Sequence, residues 1–481
     1  MSTNYPDTHL FLNGEWREAV AKESLEIINP ATEEVVGEVL QGTHGDVDQA
    51  VSAAQKAFEI YSTTSREERL ELLARIIEIY DRRMPDMAAA ITAEMGATKN
   101  LAMDSQAPCG IGHLRAAYEN LKAYKFESKL SDTDTIFKEP IGVCAFITPW
   151  NWPINQIAAK VAPALATGCT CVLKPSELAP FSAHVFAEIL HEAGVPKGVF
   201  NLVDGNGLIV GAHLSSHPDV EMVSFTGSTR AGIEVAKAAA PTVKRVTQEL
   251  GGKSANIILD DADFDNAVFK GTLHYMGNVG QSCNAPTRML VPHDRMDEAA
   301  EIAMKAVSKL RVGDPTNDDF NLGPIAYDLQ YDKVKSLIQK AIDEGTTLVC
   351  GGTDKPEGCD KGYFVKPTVF SHVTNDMTIA REEVFGPVLS IIGYDTEAEA
   401  IKIANDTPYG LAAYVSSSDL PRARRVAAKL RAGQVIVNNS SGDYNVPFGG
   451  YKQSGNGREK GEYGFEDFLE IKAIIGYNAA E

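Results

Sequence analysis

Between about residues 141 and 260 the chain alternates short apolar runs with helical stretches, and nothing else in it restricts the fold as strongly. Residues 141–147, 170–174, 198–203, 221–225 and 255–259 read as strands. Strands that alternate with helices line up parallel, because a parallel partner is reached only through a long crossover. Ligands of open parallel sheets gather beyond the carboxyl ends of the strands. The residues that follow each strand are therefore the first place to look for chemistry.

At 481 residues the chain exceeds one ordinary core and divides into two or three domains. Residues 10–40 alternate short β-like pieces with turn signals at Asn13-Gly14 and Asn29-Pro30. Ser65 and Glu68 form a capping box, and Leu70, Leu73, Ile77 and Tyr80 then make one apolar stripe. The stretch near 125–140 turns polar and extended. After Cys283 come helices near 295–310, 328–344 and 396–406 and a strand at 388–394, punctuated by Gly351-Gly352 and Gly449-Gly450.

A formal charge of −20 disfavours nonspecific binding to nucleic acid or anionic membranes, although a local basic cleft still suits a phosphate. No run approaches the roughly 18–20 apolar residues of a membrane span, and residues 1–6 lack a signal-peptide layout, so a cytoplasmic protein is expected. Seven cysteines, odd in number and without a CxxC pair, argue against a disulfide framework or a zinc ribbon. Ten histidines without an HExxH pattern suggest no metal. Cys169 and Cys171 alternate in a strand and read as packing residues.

Several strand ends carry residues with two readings each. In Thr148-Pro149-Trp150-Asn151-Trp152-Pro153 the Asn151 amide either donates to a developing oxyanion, a contact worth about 2.7–4 kcal/mol, or caps the next helix. Lys174 and Glu177 either hold ribose hydroxyls or form a solvated strand end. Residues 225–232 bring glycine and hydroxyl groups to a helix start, where backbone N–H groups meet phosphates, and residues 205–211 have one residue too many for GxGxxG; both also suit plain turns. Glu249, before Gly251-Gly252 and 34 residues ahead of Cys283, is either a general base or a surface carboxylate. Cys283 itself stands at a helix-to-strand junction, either as a packed thiol or facing a cleft.

Taken in order, Pro149-Trp150-Asn151, Lys174-Pro175-Ser176-Glu177, Phe225-Thr226-Gly227-Ser228-Thr229, Glu249-Leu250-Gly251-Gly252-Lys253, Gly280-Gln281-Ser282-Cys283, Glu382-Glu383-Val384-Phe385-Gly386-Pro387 and Pro447-Phe448-Gly449-Gly450-Tyr451-Lys452 resemble the NAD(P)-dependent aldehyde dehydrogenase superfamily. The resemblance covers nearly the whole chain. It implies an α/β fold: a Rossmann-like cofactor domain (1–121 and 141–252), an α/β catalytic domain (253–438) and a small β oligomerisation element (122–140 and 460–481). A homodimer or homotetramer follows, since an uncovered strand edge invites a partner.

The resemblance also implies that Cys283 attacks an aldehyde, that Asn151 and the Cys283 N–H hold the oxyanion, and that Glu249 activates the water that hydrolyses the thioester. The cofactor-binding positions it implies are Ile147, Thr148, Pro149, Trp150, Lys174, Ser176, Glu177, Gly207, Gly211, Phe225, Gly227, Ser228, Leu250, Glu383 and Phe385. Among them Lys174 and Glu177 would meet the adenosine ribose, Gly227 and Ser228 the pyrophosphate, and Glu383 the nicotinamide ribose. Glu177 repels a 2′-phosphate, which favours NAD over NADP. Lys160 stands where some members place a proton-relay lysine.

By the same match Trp152, Ser282, Asn284, Tyr444 and Phe448 would line the aldehyde tunnel. The chain departs from commoner patterns at Pro286, at Trp152 and in a slightly short loop over 438–446. No Arg or Lys in these segments awaits a substrate carboxylate, so an apolar or aromatic aldehyde is expected. The rivals are a CoA-acylating semialdehyde dehydrogenase, against which Glu249 speaks, and a catalytically silent binding or structural protein on the same scaffold.

Overall fold

The computed structural model describes residues 10–19 and 23–478; the amino-terminal residues 1–6 and the end of the tail lie outside them. Its largest sheet has eight strands, in the spatial order Gly455–Asn456, Arg245–Glu249, Met222–Thr226, Val143–Ile147, Thr170–Lys174, Phe200–Leu202, Leu10–Leu12 and Glu15–Arg17. The five central strands are parallel. In chain order they run 3-2-1-4-5, the doubly wound arrangement, and the order reverses between Val143–Ile147 and Met222–Thr226. Asn13 and Gly14 supply the two left-handed residues that close the edge hairpin (φ 53° and 76°).

Two apolar layers cover this sheet. On one side the capped helix Arg66–Met95 packs over the helices Ala107–Ala123, Pro153–Thr167 and Phe181–Glu192, with Ser65 and Glu68 satisfying each other's backbone amides as the capping box requires. Its buried side runs through Leu72, Leu73, Ile76 and Tyr80, whereas Leu70 and Ile77 are half-buried; the stripe is rotated by about one residue from the expected one. Cys144, Cys169 and Cys171 sit within the same layer, and all seven cysteines are free. No described helix is long and apolar enough to cross a membrane.

A second sheet follows in the order Thr347–Cys350, Thr368–Ser371, Val388–Tyr394, Arg288–Pro292, Ala255–Ile258, Ala412–Ser416 and Gln434–Val437. All its pairings are parallel except the edge pair Thr347–Cys350 with Thr368–Ser371. Residues 250–254 carry the chain from the last parallel strand of the first sheet into the first strand of the second. A separate three-stranded sheet joins Leu469–Ile474 to Thr135–Pro140 and then Glu127–Lys129. Before reaching it, the chain returns to the first sheet at Gly455–Asn456 and buries Phe465 and Phe468 in that sheet's core.

Candidate active site

The switch point of the first sheet puts two loops side by side, one leaving Val143–Ile147 and the other leaving Met222–Thr226. Asn151 lies in the first loop and is buried. Its side-chain amide donates to the Gln281 carbonyl at 3.0 Å, while its own backbone carbonyl accepts from Asn278 at 2.9 Å. The helix-cap reading fails, because the helix Pro153–Thr167 starts at Trp152 with no side-chain cap. Trp152 instead donates from its indole to Ser282 Oγ at 2.8 Å. Both residues thus brace the loop that carries the cysteine.

That loop is strained. Asn278 and Val279 have φ of 50° and 59°, and a β-branched residue in the left-handed region holds there only if its surroundings force it. Gln106 donates to Asn278 at 3.0 Å, and Gly280 lies so close to the Gly386 carbonyl that a Cβ would approach it to 2.3 Å. Cys283 follows in a turn at the amino end of Arg288–Pro292, not at a carboxyl end. The pair Gly251-Gly252 now has a reason. A Cβ on Gly252 would meet the Cys283 carbonyl oxygen at 2.3 Å, and one on Gly251 would meet the Glu383 carboxylate at 2.5 Å. The Gly252 amide also donates to Glu383 at 2.9 Å. The crossover between sheets therefore clamps Glu383 and Cys283 together.

Cys283 opens onto two cavities. The first, about 150 Å³, is lined by Asn151, Glu249, Lys333 and seven of the expected cofactor residues, namely Pro149, Trp150, Gly227, Ser228, Leu250, Glu383 and Phe385. The second, about 410 Å³, is lined by Trp152, Ser282, Asn284 and Phe448, with Leu101, Leu273, His274 and Lys460. Tyr444 is absent from both walls; its ring packs edge-on against His113 at 4.8 Å. Sequence reasoning missed Gln156, Lys333, His274, Glu459 and Lys460, which come from surface-patterned helices or motif neighbours and carry no local signal. Lys460 reverses the expectation that no cation lines the substrate side.

The electrostatics of the first cavity turn on burial. Glu249 is buried with both carboxylate oxygens lacking a hydrogen-bond partner. Burial, then the neighbouring Glu459 charge, pushes its pKa well above the carboxylate range, against the pull of Lys160 and Arg458. Lys160 is ion-paired to Glu459 at 2.5 Å and donates to Ser224 at 3.0 Å. Burial first, and then Glu249 and Glu383, raise the Cys283 thiol to about 12, so without added positive charge it rests as the thiol.

The remaining expected cofactor residues form a second group further along the same sheet edge. Lys174 donates to Glu177 at 2.8 Å and to the Pro175 carbonyl at 2.7 Å. Burial works to raise Glu177, but Lys174 and amides that include that of Gly207 outweigh it and leave the carboxylate lowered. A Cβ on Gly211 would stand 3.8 Å from Ile147 and 3.9 Å from Lys174, so these three residues share one corner. Ser176 Oγ accepts from the Leu178 amide, and the Phe225 ring lies under Gly227. Ser228 caps the eleven-residue helix Thr229–Ala239, whose free amides suit a phosphate. The hydroxyls of Thr148 and Thr226 are buried without partners at the two strand ends. Two carboxylates, a capped helix start and orphaned hydroxyls strung along one edge fit a dinucleotide.

Far from Cys283, Asp48, His213 and His217 bring three ligand-type atoms within 4.8 Å of one another, a grouping that histidine spacing did not foretell. Their polar atoms already serve each other: Asp48 meets His213 at 2.6 Å and His217 at 3.4 Å, and the Asp219 amide donates to His217 Nδ1.

A doubly wound sheet that ends one strand in a buried glutamate and faces a clamped cysteine across a cleft defines a two-sheet α/β enzyme built around a thiol. The sequence profile described as the aldehyde dehydrogenase family matches residues 16–474, and the chain belongs to that family. It is 56% identical over 471 residues to a 3-succinoylsemialdehyde-pyridine dehydrogenase from a Pseudomonas species, covering 98% of each chain. Among solved structures it resembles a variant of aldehyde dehydrogenase C from Pseudomonas syringae in complex with NAD+ and octanal, at 52% identity and a TM-score of 0.97 over 98% of each chain. An aldehyde dehydrogenase from Bartonella henselae superposes with a TM-score of 0.96 at 48% identity, over 98% of this chain and 99% of that one.

Proposed function

We propose that this protein oxidises an elongated apolar or aromatic aldehyde to its carboxylic acid with NAD, and that Cys283 is the nucleophile. The observation that carries the reading is that the Cys283 thiol, with Gln156 beside it, joins a cavity rich in dinucleotide-type groups to a separate, partly apolar cavity. The similar proteins named above act on, or hold, a pyridine-bearing semialdehyde and octanal, and both ligands are long with an apolar or aromatic body.

Glu383 and Phe385 would hold the nicotinamide ribose, Ser228 and the start of its helix the pyrophosphate, and Lys174 with Glu177 the adenosine ribose. NAD, when bound there, supplies the hydride acceptor. The Cys283 sulfur adds to the aldehyde carbon, its proton leaving to a base. The oxyanion is met by the Asn151 amide, which its bond to Gln281 keeps turned one way. After hydride departure a thioester remains on Cys283. Glu249, a base made strong by burial, takes a proton from water, which then attacks the thioester and releases the acid. The Lys160–Glu459 pair beside it offers that proton a way out.

The division into domains 1–121 with 141–252, 253–438, and 122–140 with 460–481 follows the same reading. We infer a homodimer or homotetramer that covers the strand Leu469–Ile474, whose Ile471 side is exposed; sedimentation velocity measures it. The test of the chemistry is NADH absorbance across aliphatic, aromatic and semialdehyde substrates, with product analysis with and without CoA. Free acid is expected in both. Acyl-CoA as the main product would replace hydrolysis with thiol capture. Cys283→Ser is expected to abolish turnover, by at least ~1,000-fold, while NAD still binds; retained turnover would remove the nucleophile assignment.

A further inference from the structure

Beyond the second cavity lies a third of about 420 Å³, and three residues, His274, Asn284 and Lys460, line both. Near Cys283 the wall sets Trp152, Leu273 and Phe448 beside amides, and further out it mixes Lys270, Gln434, Asn439 and Ser440 with Tyr414, Ile436 and Val446. Lys460 stands at the junction with an unusual set of properties. It is half-buried, and among the described residues no carboxylate lies within ion-pair distance of its ammonium and no acceptor takes its hydrogen bonds. The ammonium rests over the Phe448 ring at 5.1 Å and the Tyr444 ring at 5.7 Å. Its backbone has φ 73°, a conformation a lysine adopts only when held there. The fold thus keeps a cation without an ion-pair partner, aimed by two aromatic faces, where the inner passage opens into the outer chamber.

We propose that the aldehyde this enzyme takes carries a hydrogen-bond acceptor, a carbonyl or a carboxylate, at the end remote from its CHO group, and that Lys460 recognises it. The inference rests on the reading of the second cavity as the aldehyde site. An ammonium has three donors and no acceptor, so partial burial costs it water that the two ring faces replace in part and a hydrogen-bond acceptor replaces more fully. The apolar stretch between Cys283 and Lys460 suits the body of the substrate, and the outer chamber holds what projects past it. Burial keeps the His274 imidazole below its ordinary pKa, so at neutral pH it faces the same passage uncharged and leaves Lys460 the cation there. Asp443 lies further out, and its carboxylate is taken by the Asn445 amide at 2.7 Å.

The experiment compares kcat/KM, read by NADH formation, for three aldehydes of matched length: an unsubstituted alkanal, one ending in a carboxylate and one ending in an aryl ketone. The wild type is expected to prefer one or both acceptor-bearing aldehydes over the alkanal. Lys460→Met should cut that preference by about 10- to 100-fold, mainly through KM, as befits loss of a hydrogen bond to a charged group. Lys460→Gln, which still donates but carries no charge, should restore more of the ketone preference than of the carboxylate preference. A preference absent in the wild type, or unchanged in Lys460→Met, would overturn the inference while leaving the aldehyde chemistry standing. No NADH from any aldehyde would overturn both.

Discussion

On the Glu383 side of Cys283 much of the cavity wall comes from turns at the strand ends of the first sheet, whereas on the Lys460 side six segments from helices, loops and the returning tail contribute to it. Pro149–Asn151, Gly227–Ser228 and Glu249–Gly251 each enter the first cavity as a unit because each is a turn leaving a strand or the crossover between sheets, and Glu383 and Phe385 join them from the turn that leads into Val388–Tyr394. Such turns have few conformations, and their glycines, prolines and amides are tied to those conformations. The second cavity takes side chains from helices, from the cysteine loop and from the returning 448–460 segment, and positions such as Leu101, Leu273 and Lys460 hold no turn in shape. A dinucleotide of one shape can be held by fixed backbone; a substrate that varies from enzyme to enzyme is held by replaceable side chains.

That contrast can be pressed from three directions. Glu249→Gln should leave the first hydride burst and lower steady-state turnover by about 10²–10⁴-fold, since the amide cannot take a proton from water; stopped-flow NADH traces separate the two. Equal loss in both would move Glu249 out of deacylation. Glu383→Gln should raise the KM for NAD by about 10- to 100-fold with little change in aldehyde KM, the size of a hydrogen bond to a charged group. A change confined to aldehyde KM would break the assignment of the two cavities. Trp152→Phe removes the indole bond to Ser282 and should shift aldehyde KM by roughly fivefold, about 1 kcal/mol, with NAD KM steady. Initial-rate kinetics with each substrate varied in turn read both constants.

The parallel sheet was legible because alternation of strand and helix leaves few alternatives, and the strand Thr170–Lys174 falls where its β-branched run stops. Cys283, Asn151 and Glu249 were legible as an ordered set, though no one of them stood out alone. What stayed hidden has a common cause. Tyr444 sits in a promising motif region yet turns towards His113, since side-chain direction follows packing and not proximity in sequence. Lys460 follows Glu459 in a charged stretch that reads as solvated surface, and only the return of that stretch over Phe448 brings it to the passage.

By itself the sequence determined a family, a parallel sheet and a candidate set of reacting residues, because these rest on local backbone needs: glycines where chains cross, a capped helix start, a cysteine ahead of a strand. The tertiary structure alone decided which carboxylates lose water, which oxygens remain unpartnered and which cation lines the second cavity. Burial and charge neighbourhood depend on segments that meet in space from far apart in the chain, as Glu249 meets Glu459 and Lys160 only after the chain has folded back on its first sheet.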